Sequence, residues 1–135
     1  MLKNSPFTRE DVSTLIKLLE DAEKTKIVCQ QELSGIWLHD ERWDTELRLL
    51  VIRGVQLTLS RVNLQNKRQG TMTKIASFME DFCSRSGIHQ ICVQSVLTEE
   101  MSAWCRKNRY EPNQYASQEI NGLVVGDYIK RLGKE

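Results

Sequence analysis

From Thr8 onward, Val12, Leu15, Ile16, Leu19 and Ala22 recur at helical spacing behind a capping threonine and a first turn containing Glu10 and Asp11. This pattern predicts a helix ending near Lys24. The next stretch, IVCQQELSGIWLH, is rich in β-branched and aromatic residues and is broken by Ser34 and Gly35. It fits two short extended pieces or one hairpin. HDERWDTE is polar and turn-like, while ELRLLVI, Glu46 to Ile52, reads as a largely buried strand closed by Arg53 and Gly54 into a tight hairpin. In the strand that follows, Val55, Leu57 and Leu59 alternate with Gln56, Thr58 and Ser60, after which the apolar positions change parity to Val62 and Leu64. A side-chain period of two cannot change parity without exchanging faces. Either one extra residue near Ser60 and Arg61 leaves the ladder as a β-bulge, or the strand ends early.

Behind Gly70 the stripe of Met72, Ile75, Ala76, Met79, Phe82 and Cys83 predicts a helix packed on a sheet, with its Met and Phe in the core. Ser86 and Gly87 stop it, and HQICVQSVL reads as a buried strand, with Ile91 and Val93 inward or both faces covered. Thr98 caps a further helix whose first turn holds Glu99 and Glu100, whose apolar face is Met101, Trp104 and Cys105, and whose last turn holds Arg106 and Lys107. Tyr110, Glu111 and Pro112 lead into a polar connection, and GLVVGDYIKRL supplies a final strand. The order is of the α/β (α+β) class: a mixed central sheet with a bulged strand, flanked by about three helices. Its centre is a strand–helix–strand crossover with parallel strands, which places a ligand at the strand ends beside the crossover helix's N-terminus.

The 135 residues read as one domain, 1–135. Nineteen basic against eighteen acidic residues, with no long Lys/Arg run, give no stripe for tracking phosphates along a duplex, so nucleic acid is not the expected partner. No apolar run approaches the roughly 20 residues that span a bilayer, and MLKNSPFTRED has no apolar signal core. A cytoplasmic protein with no membrane partner is expected. Cys29, Cys83, Cys92 and Cys105 lie far apart with no CxxC pair, and His39 and His89 are single, so the thiols are expected reduced and no metal site is expected.

Against this frame NKRQGTMTKI, Asn66 to Ile75, gains chemistry. A helix leaves its first amides unpaired and carries partial positive charge there, so a loop that opens a helix with Gly70 can offer backbone N–H groups to a pyrophosphate. Lys67 and Arg68 add charge at the rim.

KRQGTM, Lys67 to Met72, resembles the Q/R-x-x-G-x-G/A phosphate loop of the GNAT superfamily of acyl-coenzyme A-dependent N-acetyltransferases, in which it lies between a bulged strand and a helix. Gly70 falls on the first glycine, Lys67 stands for Gln or Arg, and Met72 stands for the second Gly or Ala. TEEMSAWCRKNRY, Thr98 to Tyr110, is similar to the family's N-x-x-A-x-x-L-Y-x-K-x-G-F helix, with Thr98 replacing asparagine, Cys105 the tyrosine and Arg109 the turn glycine. The resemblance spans roughly Leu47 to Tyr110 and implies acetyl-CoA as co-substrate and an amine of a small molecule, peptide or protein as acceptor. It implies coenzyme contacts from Val62, Asn63 and Leu64, from Lys67, Arg68, Gln69, Gly70, Thr71, Met72 and Thr73, and from Thr98. By position it makes Cys105 a candidate general acid. Glu46, Asp44 and His39 could reach the cleft as bases depending on where the preceding strand lies. The departures motivate a second reading, a non-catalytic GNAT-fold module still holding CoA, and the uncertain second strand keeps a homodimer open.

Overall fold

The computed structural model describes residues 5–67 and 69–133. The chain runs α1 (Arg9–Glu23), β1 (Val28–Glu32), β2 (Gly35–His39), β3 (Glu46–Ile52), β4 (Gln56–Asn63), α2 (Thr71–Ser86), β5 (Gln90–Val96), α3 (Glu99–Lys107), β6 (Glu111–Ile120) and β7 (Leu123–Arg131). Thr8 opens α1 through a reciprocal capping box: its backbone N–H donates to Asp11 Oδ2 at 3.0 Å, and its Oγ1 accepts from the Asp11 N–H at 3.0 Å. IVCQQELSGIWLH is the hairpin, with Gln30 opposite Trp37 and Glu32 opposite Gly35.

The strands form one seven-stranded sheet in the order β1-β2-β3-β4-β5-β7-β6. β4 and β5 are parallel, joined by the α2 crossover, and the other neighbours are antiparallel. The parity change in β4 is a bulge. Leu49 pairs with Leu59 and Arg48 with Arg61, so Ser60 has no counterpart on β3, and Val62 returns to the face of Leu57 and Leu59 by pairing with Leu47.

Register divides the sheet into two unlike faces. Ile36, Leu38, Leu47, Leu49, Val51, Leu57, Leu59, Ile91, Val93 and Tyr128 point to one side, where they join Leu15 and Leu19 of α1, Ile75, Met79 and Phe82 of α2, and Cys105 of α3 in a continuous core. Alternate residues carry Trp37, His39, Glu46, Arg48, Thr58 and Arg61 to the other side.

The segment after Tyr110, expected to be a polar connection, is instead β6. It sits at the sheet edge and is largely exposed, with Tyr115 90% accessible, so it has no buried face and hence no apolar alternation to betray it. Its signal was the turn. Asn121 and Gly122 both have positive φ, 51° and 84°, as the two-residue hairpin connection between Ile120 and Leu123 requires. Val55, read as the start of the β4 apolar series, lies in the preceding turn and is exposed.

Candidate active site: a cleft between parting strands

β4 and β5 pair only at Leu57–Ile91, Thr58–Cys92 and Leu59–Val93, and then diverge. The bulge at Ser60 turns one wall, and a second irregularity turns the other. Between Val93 and Val96 the β5–β7 register slips, Ser95 adopts a φ of 56°, and its N–H is held by Asp127 Oδ1 at 3.0 Å. Beyond Leu59 and Val93, the edges of the two strands therefore face each other without a ladder.

The result is a cleft of about 630 Å3, lined on the strand side by Ser60 to Leu64 and Val93 to Leu97 and at the helix ends by Gln69 to Thr73 and by Thr98, Met101 and Trp104. At the α2 end the geometry suits an anion. Gly70 caps the helix with φ 71°, which an L side chain rarely adopts, and a Cβ there meets no atom of the described residues within 4 Å. The Thr71 side chain is buried, its Oγ1 has no hydrogen-bond partner among the described residues, and the residue lines the cleft. Lys67 Nζ reaches across to Glu100 Oε1 on α3 at 3.5 Å, both ends well exposed. Met72 serves two surfaces, packing against the core and also lining the cleft.

The strand side of the cleft carries one carboxylate. Glu46, on the sheet face away from the helices, is buried; its Oε2 accepts from Trp37 Nε1 at 2.9 Å and its Oε1 from Arg61 Nη2 at 3.2 Å. Of the three candidate bases, Glu46 lines the cleft. His39 is turned aside: its ring stacks on Trp43 with centroids 3.4 Å apart, its Nδ1 lies 2.7 Å from the Asp40 carbonyl and its Nε2 3.2 Å from Gln30 Nε2.

Among the predicted contact residues, Val62, Asn63, Leu64, Lys67, Gln69, Gly70, Thr71, Met72, Thr73 and Thr98 line this one cleft. Arg68 lies outside the described residues. Thr98 is already engaged, accepting from the Met101 N–H at 3.1 Å as the α3 cap. Cys105 is placed elsewhere: it is fully inaccessible, outside the residues lining the cleft, and burial pushes its thiol up to about 12. The α3 face that carries it turns into the core. Sequence reasoning missed Trp37 as the partner of Glu46, because the two meet only through strand register.

No protein-family model and no curated protein sequence matches the chain. Solved structures do. A protein of Lactobacillus plantarum assigned as an N-acetyltransferase superposes with a TM-score of 0.54 at 14% identity, covering 93% of this chain and 93% of that one. An IAA acetyltransferase of Bacillus cereus gives 0.54 at 13% identity over 86% and 91%, and a protein of Agrobacterium tumefaciens assigned as an acetyltransferase gives 0.53 at 14% over 91% and 88%. The chain has the GNAT fold. Within that fold the bulged β4, the loop at Gly70 and the crossover helix α2 stand in the order that the resemblance implied.

Proposed function

We propose that this chain binds acetyl-coenzyme A between β4 and β5 and transfers its acetyl group to an amine. The observation that supports this most directly is the loss of strand pairing beyond Leu59 and Val93, beside the helix N-terminus that Gly70 opens. The residues fit the group. The amides opening α2, Lys67, Gln69 and, by sequence, Arg68 would hold the pyrophosphate, and the unpaired edge of β4 at Val62 to Leu64 would hold the amide-bearing arm. The coenzyme supplies an acyl carbon activated as a thioester. Glu46 then has the position for accepting the proton that an attacking amine must lose, directly or through water, with Trp37 and Arg61 fixing the plane of its carboxylate. We assign no proton transfer to Cys105.

A second reading, a CoA-binding module without turnover, draws on the same carboxylate: both Glu46 oxygens already accept hydrogen bonds, and a thiol stands where the family's tyrosine is expected. Calorimetric titration with acetyl-CoA and desulfo-CoA tests the shared premise. Wild type should bind both, while Gly70→Trp and Lys67→Glu should weaken binding at least about tenfold. A wild-type protein that binds neither overturns both readings. Thiol release across an amine panel then separates enzyme from module.

A further inference from the structure

The last residue of α1, Glu23, carries a buried carboxylate whose hydrogen-bond donors among the described residues are neutral. Its Oε1 accepts from Thr45 Oγ1 at 2.6 Å and from the Gln65 N–H at 2.7 Å, and its Oε2 accepts from the Asn66 N–H at 2.9 Å. Asn66 returns a bond, donating Nδ2 to the Ala22 carbonyl at 3.0 Å, and Gln65 Nε2 donates to the Asp44 carbonyl at 2.7 Å. A carboxylate taken out of water is costly unless its oxygens are fully satisfied, and here the donors come from two separate segments, at Thr45 and at Gln65–Asn66. Each must keep its place for the others to be satisfied.

Two of those donors are the backbone amides that follow β4 and precede the loop at Gly70. That loop is fixed at its far end by the Lys74 N–H, which donates to the Gly70 carbonyl at 3.1 Å as α2 begins. Its near end is held by Glu23. The third donor, Thr45, is the chain neighbour of Glu46. One side chain therefore ties the end of α1 both to the anion loop and to the strand carrying the candidate base.

We propose that Glu23 is a positioning residue, which anchors the chain at Gln65 and Asn66 so that the amides at Gly70 and Thr71 converge on the pyrophosphate. The inference rests on the coenzyme reading above, but the anchoring itself can be measured without a ligand. In Glu23→Gln the amide NH2 takes the place of one carboxylate oxygen and faces a backbone N–H, so at least one of the three bonds is lost without any change of volume. In the ligand-free protein, hydrogen exchange at the Gln65 and Asn66 amides should speed up about tenfold or more while exchange in β3 is unchanged. The affinity for CoA should fall about tenfold, whereas that for S-acetylpantetheine, which lacks the pyrophosphate, should stay within about twofold. Glu23→Asp keeps the charge but withdraws it by one methylene, and should lie between wild type and Glu23→Gln.

Unchanged exchange at Gln65 and Asn66 overturns the anchor. So does equal weakening of CoA and S-acetylpantetheine, which would mean a general loosening of the fold. A wild-type protein that binds no CoA sinks the coenzyme reading and leaves the exchange contrast to decide the anchor alone.

Discussion

Trp37 on β2 and Glu46 on β3 are joined by an Nε1–H···Oε2 hydrogen bond of 2.9 Å across the sheet face that carries no helix. It orients a buried carboxylate whose other oxygen faces Arg61, on the bulged part of β4. For Glu46→Gln, which preserves volume and removes basicity, kcat should fall roughly 100-fold with little change in KM for acetyl-CoA. Trp37→Phe, which only frees the carboxylate plane, should cost less. Full turnover by Glu46→Gln would remove it from the reaction.

Gly70 is held at φ 71°, and among the described residues nothing lies within 4 Å of where a Cβ would stand. Gly70→Ala should therefore lose only about 1 to 2 kcal/mol in urea unfolding, the cost of the left-handed conformation, and Gly70→Asn less, since asparagine tolerates that region. A loss well above this in Gly70→Ala would point to a contact at the position that the geometry does not contain.

Burial raises the thiols of Cys83 and Cys105 to about 12 and that of Cys92 to about 11, from an ordinary 9.0. Above pH 9 the unfolded chain releases these protons while the native chain keeps them. The stability they contribute is thus intact below pH 9 and is lost as pH rises toward 11 or 12, each thiol adding about 1.4 kcal/mol per pH unit to the fall. Cys105→Ala should be less stable at pH 7 through its small cavity, yet show a shallower decline between pH 9 and 11 in urea melts. Its acetyl-transfer rate should equal wild type; a fall in kcat at unchanged stability would restore the acid role.

Tyr128 is fully buried on β7, donates to the Val124 carbonyl at 2.7 Å and lies 2.7 Å from Ser102 Oγ on α3. Removing the hydroxyl strips partners from two groups beneath the α3 wall of the cleft. Tyr128→Phe should lose about 1 to 3 kcal/mol by thermal or urea unfolding and leave CoA affinity within about twofold. A neutral effect on stability would mean that water replaces both bonds.

The elements legible in the sequence were those whose periodicity is enforced by one buried face. The stripe from Met72 to Cys83 read as a helix on a sheet, and the parity change before Val62 left two solutions, a bulge or an early strand end, of which the register shows the bulge. Gly70 was legible as the opening of the helix, while its left-handed φ of 71° came only from the structure. β6 stayed hidden because an edge strand in water has no buried face to set an alternation. The chemistry of the cleft was decided by tertiary structure: Glu23 meets Gln65 and Asn66 from more than forty residues away, Trp37 meets Glu46 only through strand register, and Cys105 turns from the cleft because α3 packs that face into the core. Hydrophobic spacing states which face of an element is buried; where that face lies relative to a cleft depends on how the elements pack together.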